Sequence, residues 1–262
     1  MKIKANLIIT VLAGVAFTFS ACKKSSNSKP ATTTLTPKEV SSQVALNITQ
    51  TLSTSFGSFN LSDGWGSLST LGLVKNQNGL QVNSNGNELC GTTSETPLDY
   101  SEDSGGTSVK MSGNMKFAFT CTNGVLSGYG FVDDLTIAES TSTFSLNYKI
   151  NENMTITAVT PSSKTTSIVL AGTIGYGGTY NYSSGSNKGS ATQNFAYTYH
   201  AVTIDSNGVI ASGSADFNTS GSGTTGTWNY SGTITFLGNG SAKIIINNAT
   251  YTVNLLTGEV SG

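Results

Sequence analysis

The sequence has no arginine, a single histidine (His200) and four prolines, and only 10% of its 262 residues are charged. Thirteen lysines stand against 14 acids, for a net charge of −1. Removing residues 1–21 takes away Lys2 and Lys4 and makes the balance more acidic, with 11 lysines and a net charge of −3. Nucleic-acid binding needs a basic stripe, usually with arginine to grip phosphates and guanines. The sequence has none, so a nucleic-acid partner is excluded. The scarcity of histidine narrows catalysis in the same way. Ser/His/Asp and Cys/His systems could use only His200. That residue takes the opposite strand parity to Tyr197 and Tyr199, and no orienting acid is legible near it, so it reads as a solvated strand residue. There is no Gly-x-Ser-x-Gly elbow, phosphate loop or dinucleotide fingerprint in strand–helix context. No cofactor is implied.

What is abundant is small and polar. Ser, Thr, Asn and Gly supply 129 of the 262 residues. Yet 37% of the chain is hydrophobic, and the apolar residues alternate in order, so a packed core is expected and disorder is not.

The N-terminus reads as an address. Lys2 and Lys4 give a positive start, and Leu7 to Phe19 is an apolar run too short to span a bilayer. It ends in Phe19-Ser20-Ala21-Cys22, which resembles the lipobox of bacterial lipoproteins, with Phe19 where that motif usually has Leu. The resemblance covers about two dozen residues. It implies cleavage before Cys22, lipidation of Cys22, export, and attachment to a bacterial membrane, the outer preferred over the inner. Residues 1–21 are then a signal peptide. Residues 22–35 are the lipidated cysteine and a flexible tether, polar and with Pro30. Residues 36–262 form one domain.

Two further cysteines, Cys90 and Cys121, form the one remaining pair of an exported chain and are expected to be disulfide-bonded. Cys121 follows Met115, Phe117 and Phe119 at period two, which favours a buried structural bond over a reactive thiol. With one histidine and no short cysteine spacing, a zinc site is not expected.

Thr36-Pro37-Lys38-Glu39 is a capping box with proline at the first helical position. Val40, Val44, Ile48 and Leu52 follow at spacing four, so an amphipathic helix is predicted over residues 36–56, covering one face or end of a sheet. Residues 60–86, with Trp65, are rich in Gly, Ser and Asn and carry no firm assignment.

From about Glu88 the period becomes two. Met115 to Cys121 and Phe144 to Ile150 alternate, and Phe195, Tyr197 and Tyr199 share a parity, as do Trp228, Tyr230, Ile234 and Phe236. Asn123-Gly124, Asn207-Gly208 and Asn239-Gly240 read as hairpin turns, and residues 151–153, 183–190, 218–225 and 247–248 as the other gaps. About ten strands at hairpin distance imply a mainly β fold. It is a large antiparallel meander forming a curved sheet or barrel behind one N-terminal helix, with a two-sheet β-sandwich as the alternative. A membrane-spanning barrel is disfavoured because Gly and Ser break the apolar faces.

Three sets of residues could carry chemistry. Asp99, Glu102 and Asp103 precede Gly105-Gly106 and could offer oxygen ligands to Ca²⁺, though the spacing matches no EF-hand and a solvated acidic loop is preferred. Asp133 shares parity with Phe131, Leu135 and Ile137, which would bury a carboxylate and raise its pKa, as in a general acid. A turn or bulge at Asp133-Asp134 is the preferred account. Tyr180, Tyr182, Trp228 and Tyr230 could form sugar platforms, or could be core. The reading that follows is a lipid-anchored cell-envelope protein with a non-catalytic binding or scaffold role. Its partners are the membrane through its lipid and a glycan, a lipid-like ligand or an envelope protein. The alternative is a polysaccharide-acting hydrolase using Asp133 and a second acid among Asp99, Glu102 and Glu139.

Overall fold

The computed structural model describes residues 34–53, 89–163, 166–184, 187–224 and 226–261. The signal segment, Cys22, most of the tether and residues 54–88 lie outside the described residues.

Helix α1 spans Pro37–Ser53. Its capping box forms as the sequence predicts. The Thr36 amide donates to the Glu39 carboxylate at 2.8 Å, and the Glu39 amide donates to Thr36 Oγ1 at 3.3 Å. The spacing-four stripe Val40, Val44, Ile48 and Leu52 is buried. Ser42 and Thr49 donate their hydroxyls to the carbonyls of Gly258 and Leu255, fixing the helix to the C-terminal strands.

Eleven strands follow as one antiparallel meander in sequence order. They are β1 (Thr93–Ser104), β2 (Thr107–Thr122), β3 (Val125–Ser140), β4 (Phe144–Ala158), β5 (Ile168–Ser184), β6 (Asn187–Ile204), β7 (Ile210–Gly223), β8 (Gly226–Gly238), β9 (Ser241–Ile246), β10 (Ala249–Asn254) and β11 (Val260–Ser261). The first and last strands do not pair, so the sheet stays open, and neither a closed barrel nor a two-sheet sandwich forms. Asn123-Gly124 and Asn239-Gly240 take positive φ at both positions, as does Asn247-Asn248, the geometry of two-residue hairpin turns. Register shifts at Thr120/Cys121, Leu170/Gly172 and His200/Thr203 add bends. Gly172 shows why glycine is needed at one of them, since at φ +129° a Cβ would lie 2.2 Å from the Asn153 carbonyl oxygen.

One expected gap is strand instead, since residues 151–153 lie inside β4. The expected gaps at 183–190 and 218–225 contain the β5–β6 and β7–β8 junctions but are narrower, because β5 runs to Ser184, β6 starts at Asn187, β7 runs to Gly223 and β8 starts at Gly226. In residues 151–153 and 218–220, Asn151, Asn153, Asn218 and Ser220 take the outward parity, while Glu152 and Thr219 between them are buried. Tertiary context overrides the weak β propensity of the Asn residues. Asp133-Asp134 is likewise no turn, because β3 runs straight through it.

Cys90 and Cys121 are disulfide-bonded with Cα atoms 5.4 Å apart, tying the residues before β1 to the end of β2 across 31 positions. A loop of this length contributes about 3–4 kcal/mol in the chain-entropy model.

One face of the sheet is apolar along its length. Its larger core joins α1 to Phe117, Phe131, Met154, Ile156, Tyr197, Phe217 and Ile234. A second core gathers Val109, Met111, Leu135, Ile137, Leu146, Tyr148, Ile150 and Tyr180. Two hydroxyls tie the interior to the N-terminal segment. Tyr197 donates to Asn47 Oδ1 and Tyr230 to the Leu35 carbonyl, both at 2.7 Å.

Candidate functional site

The alternation of β3 and β4 puts two carboxyls on the apolar face. Asp133 falls between Phe131 and Leu135, and Glu152 between Ile150 and Met154. The register places them directly opposite each other. Both are buried, at 3% and 4% exposure. Burial pushes the Asp133 carboxyl up to about 6. Burial, reinforced by the charge of Asp133, pushes Glu152 well above the carboxylate range. Both Asp133 oxygens and one Glu152 oxygen are buried without a hydrogen-bond partner, so burial disfavours the charged form of each. Beside them the buried Tyr199 hydroxyl is raised by burial and by Glu152. Gly172 stands between Met154 and Tyr199 in register and offers no side chain to separate them.

This pair differs from the expected one. Glu139 is buried on β3, six residues from Asp133, or about 20 Å along the strand. Asp99 and Asp103 are exposed on β1, on the face opposite to Asp133, and Glu102 points to the other side, taking a hydrogen bond from Tyr100. The Asp99, Glu102 and Asp103 set therefore does not converge on a point where a cation could sit. Among the described residues, no three His, Cys, Asp or Glu side chains gather into a metal-binding group. Glycoside hydrolysis needs two carboxyls flanking a solvent-borne bond. Asp133 and Glu152 face each other inside the core, and Asp134 points outward opposite Asn151.

The aromatic candidates also turn inward. Tyr180 and Trp228 are buried, and Trp228 donates its ring N–H to Thr219 Oγ1 at 2.9 Å. Tyr230 is half-buried on Leu35, and Tyr182 is half-buried against the second core. None is an open platform. The strand alternation that nominated them is the alternation that buries them.

His200 gains an acid that the sequence reading did not find. Its ring contacts Asp216 of β7 at 2.8 Å, with both side chains about half exposed. Ala201, at φ +47°, begins the bulge beside it.

The outward face of β4 to β8 holds a groove of about 620 Å³. Its floor is β5, which presents Gly175 and Gly177 where its neighbours present side chains. One row across the strands reads Lys149, Gly177, Asn194, Ser220 and Asn229, and the next reads Asn151, Gly175, Ala196 and Asn218. Asn147 and Thr179 lie opposite each other at one end. With strands about 4.8 Å apart, the β4 and β6 walls stand about 10 Å from each other over a bare floor. A Cβ on Gly177 would sit 2.1 Å from Asn194 Oδ1, so the Asn194 amide leans over that floor. The groove side chains offer five primary amides, and each amide carries two donors and a carbonyl acceptor. No carboxylate lines it. Comparison with family models, with curated proteins and with solved structures finds no match for this chain.

Sequence reasoning missed the groove because it assigned Asn151 and Asn218 to turns. A usable signal was present in Asn147-x-Lys149-x-Asn151 and Gly175-x-Gly177, amides and glycines repeating at period two.

Proposed function

We propose that the chain is an exported, lipid-anchored envelope protein that binds a glycan, without catalysis, in the outward groove of β4 to β8. The carrying observation is the ring of asparagine amides around a glycine floor. Asn and Gly are poor strand formers, and they concentrate here at mid-strand positions where Thr would suit the sheet better. Local choices that work against the fold mark positions retained for another use. Amides that can each donate and accept match the vicinal hydroxyls of a sugar. The lipobox resemblance at Cys22 supports the anchor, and the polar tether supports a domain held away from the membrane surface.

Two measurements test this. Cys22→Ser should move the protein from the membrane to the soluble fraction, and continued membrane association would remove the anchor. Gly175→Val in that soluble chain should abolish oligosaccharide binding on a glycan array. A Cβ at Gly175 meets nothing closer than the Asn151 carbonyl oxygen at 4.0 Å, so the sheet accepts the side chain while the groove fills. Binding that survives Gly175→Val, or no glycan binding by the parent, overturns the reading.

A further inference from the structure

Lys149 is the one charged side chain that lines the groove. It stands opposite Gly177 on β5, with Asn147 and Asn151 two residues to either side on its own strand. Across the bare floor its row continues into Asn194, Ser220 and Asn229, all neutral. Lys149 makes no ion pair among the described residues, where the His200–Asp216 contact is the single acid–base pair. Asp134 is on the same outward face. It stands opposite Asn151 rather than Lys149, on the β3 side of β4 and away from the groove. The groove is therefore a neutral hydrogen-bonding surface with one unpaired positive charge at its β4 wall.

The geometry points to an anionic glycan as the occupant, an oligosaccharide with a carboxylate or sulfate on a sugar ring. This inference rests on the glycan-binding reading above. The anion meets the Lys149 ammonium, and ring hydroxyls meet Asn151, Asn194 and Asn218. The row from Lys149 to Asn229 crosses four strand spacings, about 19 Å, which suits several linked rings lying across the strands rather than a single one. The amides carry no net charge; the ammonium adds a full positive one, whose Coulombic attraction to a carboxylate or sulfate has no counterpart with a neutral hydroxyl. The absence of carboxylates from the lining removes the repulsion that would turn an anion away.

The test is calorimetric titration of the full Cys22→Ser chain with matched probes. These are oligogalacturonides and oligoglucuronides, the carboxyl-reduced neutral form of each, and a sulfated galactan oligosaccharide. An anionic probe should bind roughly fivefold tighter than its neutral counterpart at low salt, the advantage of a partly exposed ion pair, and salt should shrink that advantage. Lys149→Gln should erase the preference, so that each anionic probe binds no tighter than its neutral counterpart. A preference for the uronides identifies a carboxylate as the anion, and a preference for the sulfated probe identifies a sulfate ester. Equal affinity for charged and neutral probes, or a preference that survives Lys149→Gln, overturns the inference while leaving the glycan reading standing. If no probe of either kind binds, the glycan reading fails and this inference falls with it.

Discussion

The two faces of β4 are built from alternate residues of one strand and obey different rules. Inward go Leu146, Tyr148, Ile150, Glu152, Met154, Ile156 and Ala158, all buried. Outward go Asn147, Lys149, Asn151, Asn153, Thr155 and Thr157, all exposed. The inward set holds the strand, since each large apolar side chain removed from water contributes about 1.5–3 kcal/mol. The outward set is free of that duty. It can include residues that strands disfavour, at a cost of a few tenths of a kcal/mol each. The stability that permits an amide-lined groove on one side comes from the core on the other.

Substitutions on the two faces should therefore separate stability from binding. The largest effect is expected inside. Ile156 is fully buried, and Ile156→Ala should cost about 2–5 kcal/mol by loss of contacts and an unfilled cavity, measured by urea denaturation. A cost below 1 kcal/mol would mean that the inner face does not carry the strand.

The next effect concerns the two acids on the inner face. Asp133 and Glu152 both have folded pKa values raised above those of the unfolded chain. Glu139 is shifted the same way by burial. The native state then holds more protons than the unfolded chain in the weakly acidic range. Stability from this source is full below about pH 4 and declines as pH rises through about 6, where Asp133 ionises in the folded state. Glu152→Gln combined with Asp133→Asn should remove on the order of 2 kcal/mol of that decline between pH 4 and 7. Denaturation series at several pH values would show the flattening. A double variant with the pH slope of the parent would place the proton elsewhere.

The smallest effect on stability is expected outside. Asn151→Thr should change unfolding free energy by no more than about 0.5 kcal/mol, as for most surface substitutions, while weakening glycan binding through the lost amide. A large loss of stability from this change would mean that Asn151 supports the sheet rather than a ligand.

How far these features are legible in the sequence differs by kind. Thr36 to Glu39 announces the helix start, Asn-Gly pairs announce hairpins, and Cys90 and Cys121 announce their bond, because each depends on a few neighbouring residues or on simple counting. The parity of Asp133 was legible too, and it is buried as that parity requires. What was not legible is its partner. Glu152 sits in Asn151-Glu152-Asn153, which looks like a turn when taken alone and becomes strand interior once Ile150 and Met154 are packed on either side. The groove was hidden for the same reason. Its amides come from β4, β6, β7 and β8 and its floor from β5.

The sequence by itself determined the period. It set which residues alternate, where the Asn-Gly hairpins turn, which helix face is apolar and which cysteines can pair. These are local properties, fixed by side-chain direction along one strand or one helix. Only the tertiary structure decided what lies across from what. Register between strands depends on hairpin geometry, bulges and the packing of the whole inner face. Glu152 met Asp133, the sheet stayed open, and amides from four strands gathered around two glycines, because those positions are set by the stacking of strands far apart in sequence.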